Sequence, residues 1–183
     1  MIGATDLIAA LLSHLERTLP AYMDDLRTMT QVDCGTGQKA GIDLVVTLIA
    51  RRLEEVGAEV ELLPHSDAGD DIIGRFRGSG TRRLLLLCHT DTVYPPGTTL
   101  VRPFRVEGSR AVGPGVADMK SGLLSALYAV SALLAVGFVD FAEIVILCNS
   151  DEEGPPRHSI PLIEAEARRA GIVFCMEAGR ANG

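Results

Sequence analysis

The stretch Leu84–Val93 reads LLLLCHTDTV. A purely apolar run of this kind predicts a strand buried on both faces. His89 and Asp91 stand two residues apart where that strand ends, which is where open α/β sheets place their chemistry. At a period of two, both side chains point to the same side of the strand. A metal-bound imidazole usually donates its other N–H to a carboxylate, and this spacing offers that pairing. A half-buried histidine beside a turn would carry the same letters, so the neighbouring sequence has to decide between the two.

On the N-terminal side, Thr5 can cap a first helix whose Leu7, Ile8, Leu11, Leu12 and Leu15 form one apolar face. Pro20 is expected to interrupt it, with a further turn or two over 21–28. Asp33–Gly37 (DCGTG) reads as a loop. A second helix is expected from about Gly41 to Val56, with Ile42, Val45, Val46, Ile49 and Leu53 at helical spacing and Gly57 ending it. Glu59–Leu63 and Ile72–Arg77 read as strands paired antiparallel across Gly69–Asp71.

On the C-terminal side, Tyr94–Thr99 (YPPGTT) is a loop and Phe104–Val112 a small hairpin around Glu107–Ser109. Gly113–Ala117 leads to Asp118, where a long helix to about Val136 is expected. Its Met119, Leu123, Leu127, Val130 and Leu134 form a buried stripe. Phe141–Asn149 is a further apolar strand, Ile160–Arg169 a helix, and Gly171–Met176 a last strand with Glu177 directly after it. Helices alternating with strands argue for one α/β domain whose sheet is covered on both faces. No internal repeat, low-complexity tract or linker is visible.

The composition narrows the function classes. The 183 residues are 47% hydrophobic and 22% charged, ordinary values for a soluble domain with a sizeable core. Net charge is −7 and no long basic run occurs, which argues against a nucleic-acid partner. Ile8–Leu12 is apolar, but no basic n-region precedes it and Asp6, Glu16 and Arg17 break it up, so the N-terminus is not expected to be a signal peptide, and the leucine run near residue 84 is too short to span a membrane. Cys34, Cys88, Cys148 and Cys175 form no C-x-x-C pair; buried free thiols in a reducing cytoplasm are the favoured reading, ahead of cysteine-ligated zinc. Gly113-Pro114-Gly115 lacks the lysine and glycine spacing of a phosphate loop.

Three expected strands end in polar clusters: His89 with Asp91, Asp151-Glu152-Glu153, and Glu177. Asp118 follows a glycine-rich turn. Parallel neighbours would gather these on one edge of the sheet, where unpaired carboxylates repel each other. One or two divalent cations would offset that repulsion. One imidazole with several carboxylates suits zinc, with cobalt or manganese also compatible. Two ions ~3.5–4 Å apart would need a bridging carboxylate and leave one acid free to take a proton from water. Taken singly, Asp118 reads as a helix N-cap and the acid run at 151–153 as a solvated turn. The order of these elements along the chain is what favours a metal site.

His89-Thr90-Asp91-Thr92-Val93, Gly113–Gly122 (GPGVADMKSG) and Asn149–Gly154 (NSDEEG) resemble, in order and spacing, the three motifs of the di-zinc metallopeptidases. That family includes glutamate carboxypeptidase, aminoacylase, acetylornithine deacetylase and succinyl-diaminopimelate desuccinylase. HTDTVYPPGT looks most similar to the glutamate carboxypeptidase branch. The resemblance implies a three-layer α/β/α catalytic domain with a mixed, mostly parallel sheet. It implies that His89 and Glu177 bind one zinc, that Asp118 bridges two, and that Glu153 binds the second. Asp91 would orient and polarise His89, and Glu152 would act as general base and acid. It also implies a cis peptide at Asp118–Met119. The expected reaction is hydrolysis of an amide bond next to a free carboxylate, in a small peptide or an N-acyl amino acid.

Members of that family are longer. They insert a lid and dimerisation domain and then return with a last histidine ligand. After Glu177 this sequence supplies neither: His14 is expected on a helix far upstream, His65 follows a strand at what should be the opposite end of the sheet, and His158 lies near the cluster in sequence but at no matching motif position. Residues 1–183 are therefore expected to be the N-terminal portion of the catalytic domain. Apolar surface left uncovered would favour association and leaves room for a homodimer. Two readings stand: a carboxypeptidase or an acetylornithine deacetylase/desuccinylase-like deacylase on one side, and an inactive remnant that keeps the fold on the other.

Overall fold

The computed structural model describes residues 4–179. Apolar β-branched and leucine-rich segments build a sheet of five strands: β1 (Glu59–Leu63), β2 (Asp71–Arg77), β3 (Arg83–His89), β6 (Glu143–Asn149) and β7 (Ile172–Cys175). Their order is β1-β2-β6-β3-β7. β1 pairs antiparallel with β2, and β2 antiparallel with β6, while β3 runs parallel to both β6 and β7. Four strands thus share one direction and β2 opposes them. The sheet is mixed, as the sequence implied, and β3, β6 and β7 release the chain at the same end.

The period-two alternation of β6 divides the core. Ile144, Ile146 and Cys148 face α1 (Ala4–Thr30), α2 (Lys39–Val56) and α4 (Ser121–Ala135), whereas Val145 and Leu147 face Leu162 and Ile163 of α5 (Ser159–Arg169). α2 buries Ile42, Val45, Val46, Ile49 and Leu53, the stripe expected from spacing, and Gly57 ends it at φ 94°. Arg75 of β2 and Glu166 of α5 pin the second layer through two hydrogen bonds of 2.7 and 2.9 Å. A short helix α3 (Thr98–Val101) and a hairpin, β4 (Arg105–Glu107) with β5 (Arg110–Val112), fill the connection after β3. Among the described residues, no helix is long and apolar enough to cross a membrane.

Several expectations need correction. Pro20 lies inside a continuous α1. Both it and Glu16, whose carbonyl loses its donor, are exposed, so water can satisfy that carbonyl and packing elsewhere holds the helix. The first apolar face of α1 is only partly used: Ile8 and Leu12 are exposed, and burial begins at Asp25 and Leu26. The Tyr94–Thr99 loop ends in α3. The helix expected from Asp118 begins at Ser121, because Val116–Lys120 forms a separate wide turn in which Asp118 is extended (φ −122°, ψ 98°). All four cysteines are free, but only Cys34, Cys88 and Cys148 are buried. Cys175 is exposed, as is every residue of edge strand β7.

Candidate metal centre

β3 ends by carrying His89 into a nearly closed position, its side chain 1% exposed. The His89 N–H of the main chain donates to Met119 Sδ at 3.1 Å. Its ring is fixed on one side by Asp91: Nδ1 lies 3.0 Å from the Asp91 carbonyl and 3.3 Å from Oδ1. The other ring nitrogen, Nε2, faces carboxylates from three different elements. It stands 3.1 Å from Asp118 Oδ1, 3.3 Å from Glu177 Oε1 and 3.9 Å from Glu152 Oε2. Ligand atoms of His89, Asp118 and Glu153 all lie within 4.8 Å of one another.

Each carboxylate is delivered by a local feature. Gly115, at φ 70°, starts the turn that presents Asp118, and the Asp118–Met119 peptide is cis, as the resemblance implied. Thr90 donates to the Asn149 carbonyl through both its amide and its hydroxyl, locking the exit of β3 to that of β6. The Met176 amide bonds Leu87 O at 3.0 Å and sets Glu177 beside His89.

Asp91, 1% exposed, does more than the sequence suggested. Its Oδ1 accepts from the Glu152 amide at 3.2 Å; its Oδ2 accepts from the Glu153 amide at 3.0 Å and from the Thr36 hydroxyl at 2.6 Å. In the sequence, residues 33–37 carry the signal of a loop and nothing more. A hydroxyl beside glycines carries no signal of its own, so Thr36 was not identifiable there.

The electrostatics follow from crowding. Burial alone would lower the His89 pKa, but the carboxylates of Asp91, Glu177 and Asp118 outweigh it and raise it to about 9. Burial pushes Glu153 up, and the charges of Asp118 and Glu152 push the same way. Glu177 is raised by burial and by Asp118. Asp91 moves the other way: burial opposes it, but His89, Thr36 and the Glu153 amide hold it below the usual carboxylate range. Among the described residues, His89 is the one ion-pair partner of Asp118, Glu152 and Glu177. A divalent cation fits this donor set of one imidazole nitrogen and several carboxylate oxygens, and zinc, cobalt or manganese suits it chemically.

The remaining histidines stay outside the cluster. His65 was expected at the opposite end of the sheet. β1 runs in the same direction as β3 and β6, so His65 emerges at the same end. There it stacks on His158 with ring centroids 4.1 Å apart and contacts Asp71 at 3.0 Å. His158 pairs with Asp67 at 2.9 Å. His14 sits on α1.

A three-layer α/β domain thus gathers an imidazole and several acids beside its strand exits, an arrangement that could hold a metal ion. Residues 85–182 match peptidase family M20/M25/M40, and the chain belongs to that family. It is 36% identical over 160 residues to carboxypeptidase G2 of Pseudomonas sp. (strain RS-16), covering 86% of this chain and 39% of the relative. It is 40% identical over 119 residues to succinyl-diaminopimelate desuccinylase of Leptothrix cholodnii, covering 59% of this chain and 30% of that enzyme. An M20 family metallo-carboxypeptidase from Sulfolobus solfataricus shares the fold at a TM-score of 0.71 and 18% identity, over 86% of this chain and 37% of that one. The chain therefore spans less than half the length of the relatives it matches.

Proposed function

We propose that the protein acts as a metal-dependent hydrolase on an amide bond next to a free carboxylate, releasing the C-terminal amino acid of a small peptide. The observation that carries this reading is the clustering of His89, Asp118 and Glu153 ligand atoms with a half-exposed Glu152 beside them. The similarity to carboxypeptidase G2 supports the carboxypeptidase branch.

In this reading His89, Glu177, Asp118 and Glu153 would hold the zinc ions, with Asp118 shared between the set of His89 and that of Glu153. The bound ions would polarise the scissile carbonyl and lower the pKa of the attacking water. Asp91 fixes the ring of His89 and the main chain of Glu152 and Glu153. Glu152 takes a proton from water and hands it to the leaving nitrogen, and its exposure leaves it free to reach both. Residues 1–183 would form the N-terminal portion of the catalytic domain, and the protein would work in the cytoplasm, with a homodimer as its assembly.

The test is Glu152→Gln in the active protein, assayed on a peptide with a C-terminal glutamate and on an N-succinyl amino acid. Metal content should be unchanged while turnover falls at least about a hundredfold, the usual contribution of a general base. Undiminished turnover would refute the assignment. Preference for the N-succinyl amino acid would move the protein to the deacylase branch.

A further inference from the structure

We infer that Thr36 is a positioning residue which, through Asp91, fixes the main chain of Glu152 and Glu153 and with it the metal centre. The metal half of this inference rests on the function proposed above. The Thr36 hydroxyl donates to Asp91 Oδ2 at 2.6 Å, a short charge-assisted bond, and the Glu153 amide shares the same oxygen at 3.0 Å. Without the hydroxyl, that oxygen keeps only the Glu153 amide as donor, and the buried carboxylate is held less firmly about its last torsion.

Thr36 is itself held in place. Its amide donates to Thr92 O, and the Thr92 amide donates to Cys34 O, both at 3.0 Å, so residues 34–36 are zipped to the segment leaving Asp91. Gly35 permits this approach: a Cβ there would lie 2.2 Å from Tyr94 O. On its other side, the Thr36 methyl packs on Gly154, where an added Cβ would lie 2.6 Å from Thr36 Cγ2. Thr36 therefore touches Asp91 through oxygen and the loop carrying Glu152 and Glu153 through carbon. No hydrogen bond joins Thr36 to His89 or Asp118, and a change that keeps the carbon contact with Gly154 while removing the hydroxyl acts through Asp91.

The experiment compares Thr36→Val, which keeps the shape and removes the hydroxyl, with Thr36→Ser, which keeps the hydroxyl. Thr36 is exposed, so neither variant disturbs the core. In the metal-free protein, amide exchange at Glu152 and Glu153 should be about tenfold faster in T36V, within about twofold of the parent in T36S, and unchanged in β6. Zinc affinity, read by competition with a chromophoric chelator, should weaken about tenfold in T36V and recover in T36S, the lower end of what orienting partners contribute. Unchanged exchange in T36V would overturn the inference whatever the zinc result. Faster exchange with unaltered zinc affinity would overturn its metal half. If the parent protein takes no zinc while T36V still exchanges faster, the proposed function fails and the positioning of residues 152–153 by Thr36 stands.

Discussion

Zinc binding should release about one proton at neutral pH, and that proton comes from His89. In the metal-free protein the surrounding carboxylates hold the imidazolium up to a pKa of about 9. A metal takes only the neutral ring, so binding at pH 7 must first remove the proton about two units below its pKa. At 1.36 kcal/mol per unit this costs about 3 kcal/mol, or roughly a hundredfold in apparent affinity relative to pH 9. The apparent dissociation constant should fall about tenfold per pH unit and flatten near pH 9. Glu153 and Glu177, both raised, steepen the dependence further toward acid. Titration calorimetry at pH 7 in buffers of different ionisation enthalpy counts the protons, and chelator competition from pH 6.5 to 9.5 gives the slope. The stability of the metal-free protein must change in the opposite sense. A raised folded pKa contributes stability that is fully present below the ordinary value of 6.5 and lost as pH rises through about 9. The thermal shift on adding zinc should therefore widen with pH. Proton release near zero at pH 7, with affinity already flat, would show that the ring is neutral before metal arrives and would refute the electrostatic argument.

Gly122→Ala tests how Glu177 is held. A Cβ there would lie 1.9 Å from Met176 O, so the chain just before Glu177 must move, and zinc affinity should fall about tenfold or more by chelator competition. Full affinity would show that Glu177 does not depend on that contact. Arg75→Met should destabilise the fold by about 3 kcal/mol in urea, because Glu166, 7% exposed, keeps only Arg169 at 3.3 Å as an ion-pair partner among the described residues. Arg75 holds Glu166 below its usual range, so this contribution is present above the ordinary carboxylate pKa and lost as pH falls through the depressed value. The gap between parent and R75M should narrow in acid, and a loss under about 1 kcal/mol would mean the pair behaves as a surface ion pair.

Much of the architecture was readable because it is written in local contrasts. β3, β6 and β7 each run apolar and then turn polar at once, and the structure ends each strand within a residue or two of that change. The α2 stripe was readable for the same reason, since all five of its residues face one layer. What failed was set at a distance. Pro20 forbids one hydrogen bond locally, but the packing of Leu26 and Met29 farther along decides that α1 continues. His65 went to the wrong end because the direction of β1 depends on the antiparallel register of β2 with β6, about seventy residues later in the chain. Asp118 looked like an N-cap because the motif's helix starts three residues on, beyond a turn that only the packed site requires.

The acids of the site were visible as residues, but the relation between them was not, and that relation rests on Asp91. Sequence spacing suggested that its carboxylate serves His89. In the structure the nearest acceptor to His89 Nδ1 is the Asp91 carbonyl, at 3.0 Å, with Oδ1 at 3.3 Å. The carboxylate is instead committed mainly to the amides of Glu152 and Glu153 and to Thr36. One residue thus orients His89 with its main chain and the acids after β6 with its side chain. Backbone amides have no letter in a sequence, so a pattern search finds the histidine–aspartate pair and misses what the aspartate mostly does. It follows that Glu152 and Glu153 are not independent of His89. A displacement of the Asp91 carboxylate would move the main chain of Glu152 and Glu153 together, and a hydroxyl as remote in sequence as Thr36 would act on both through it.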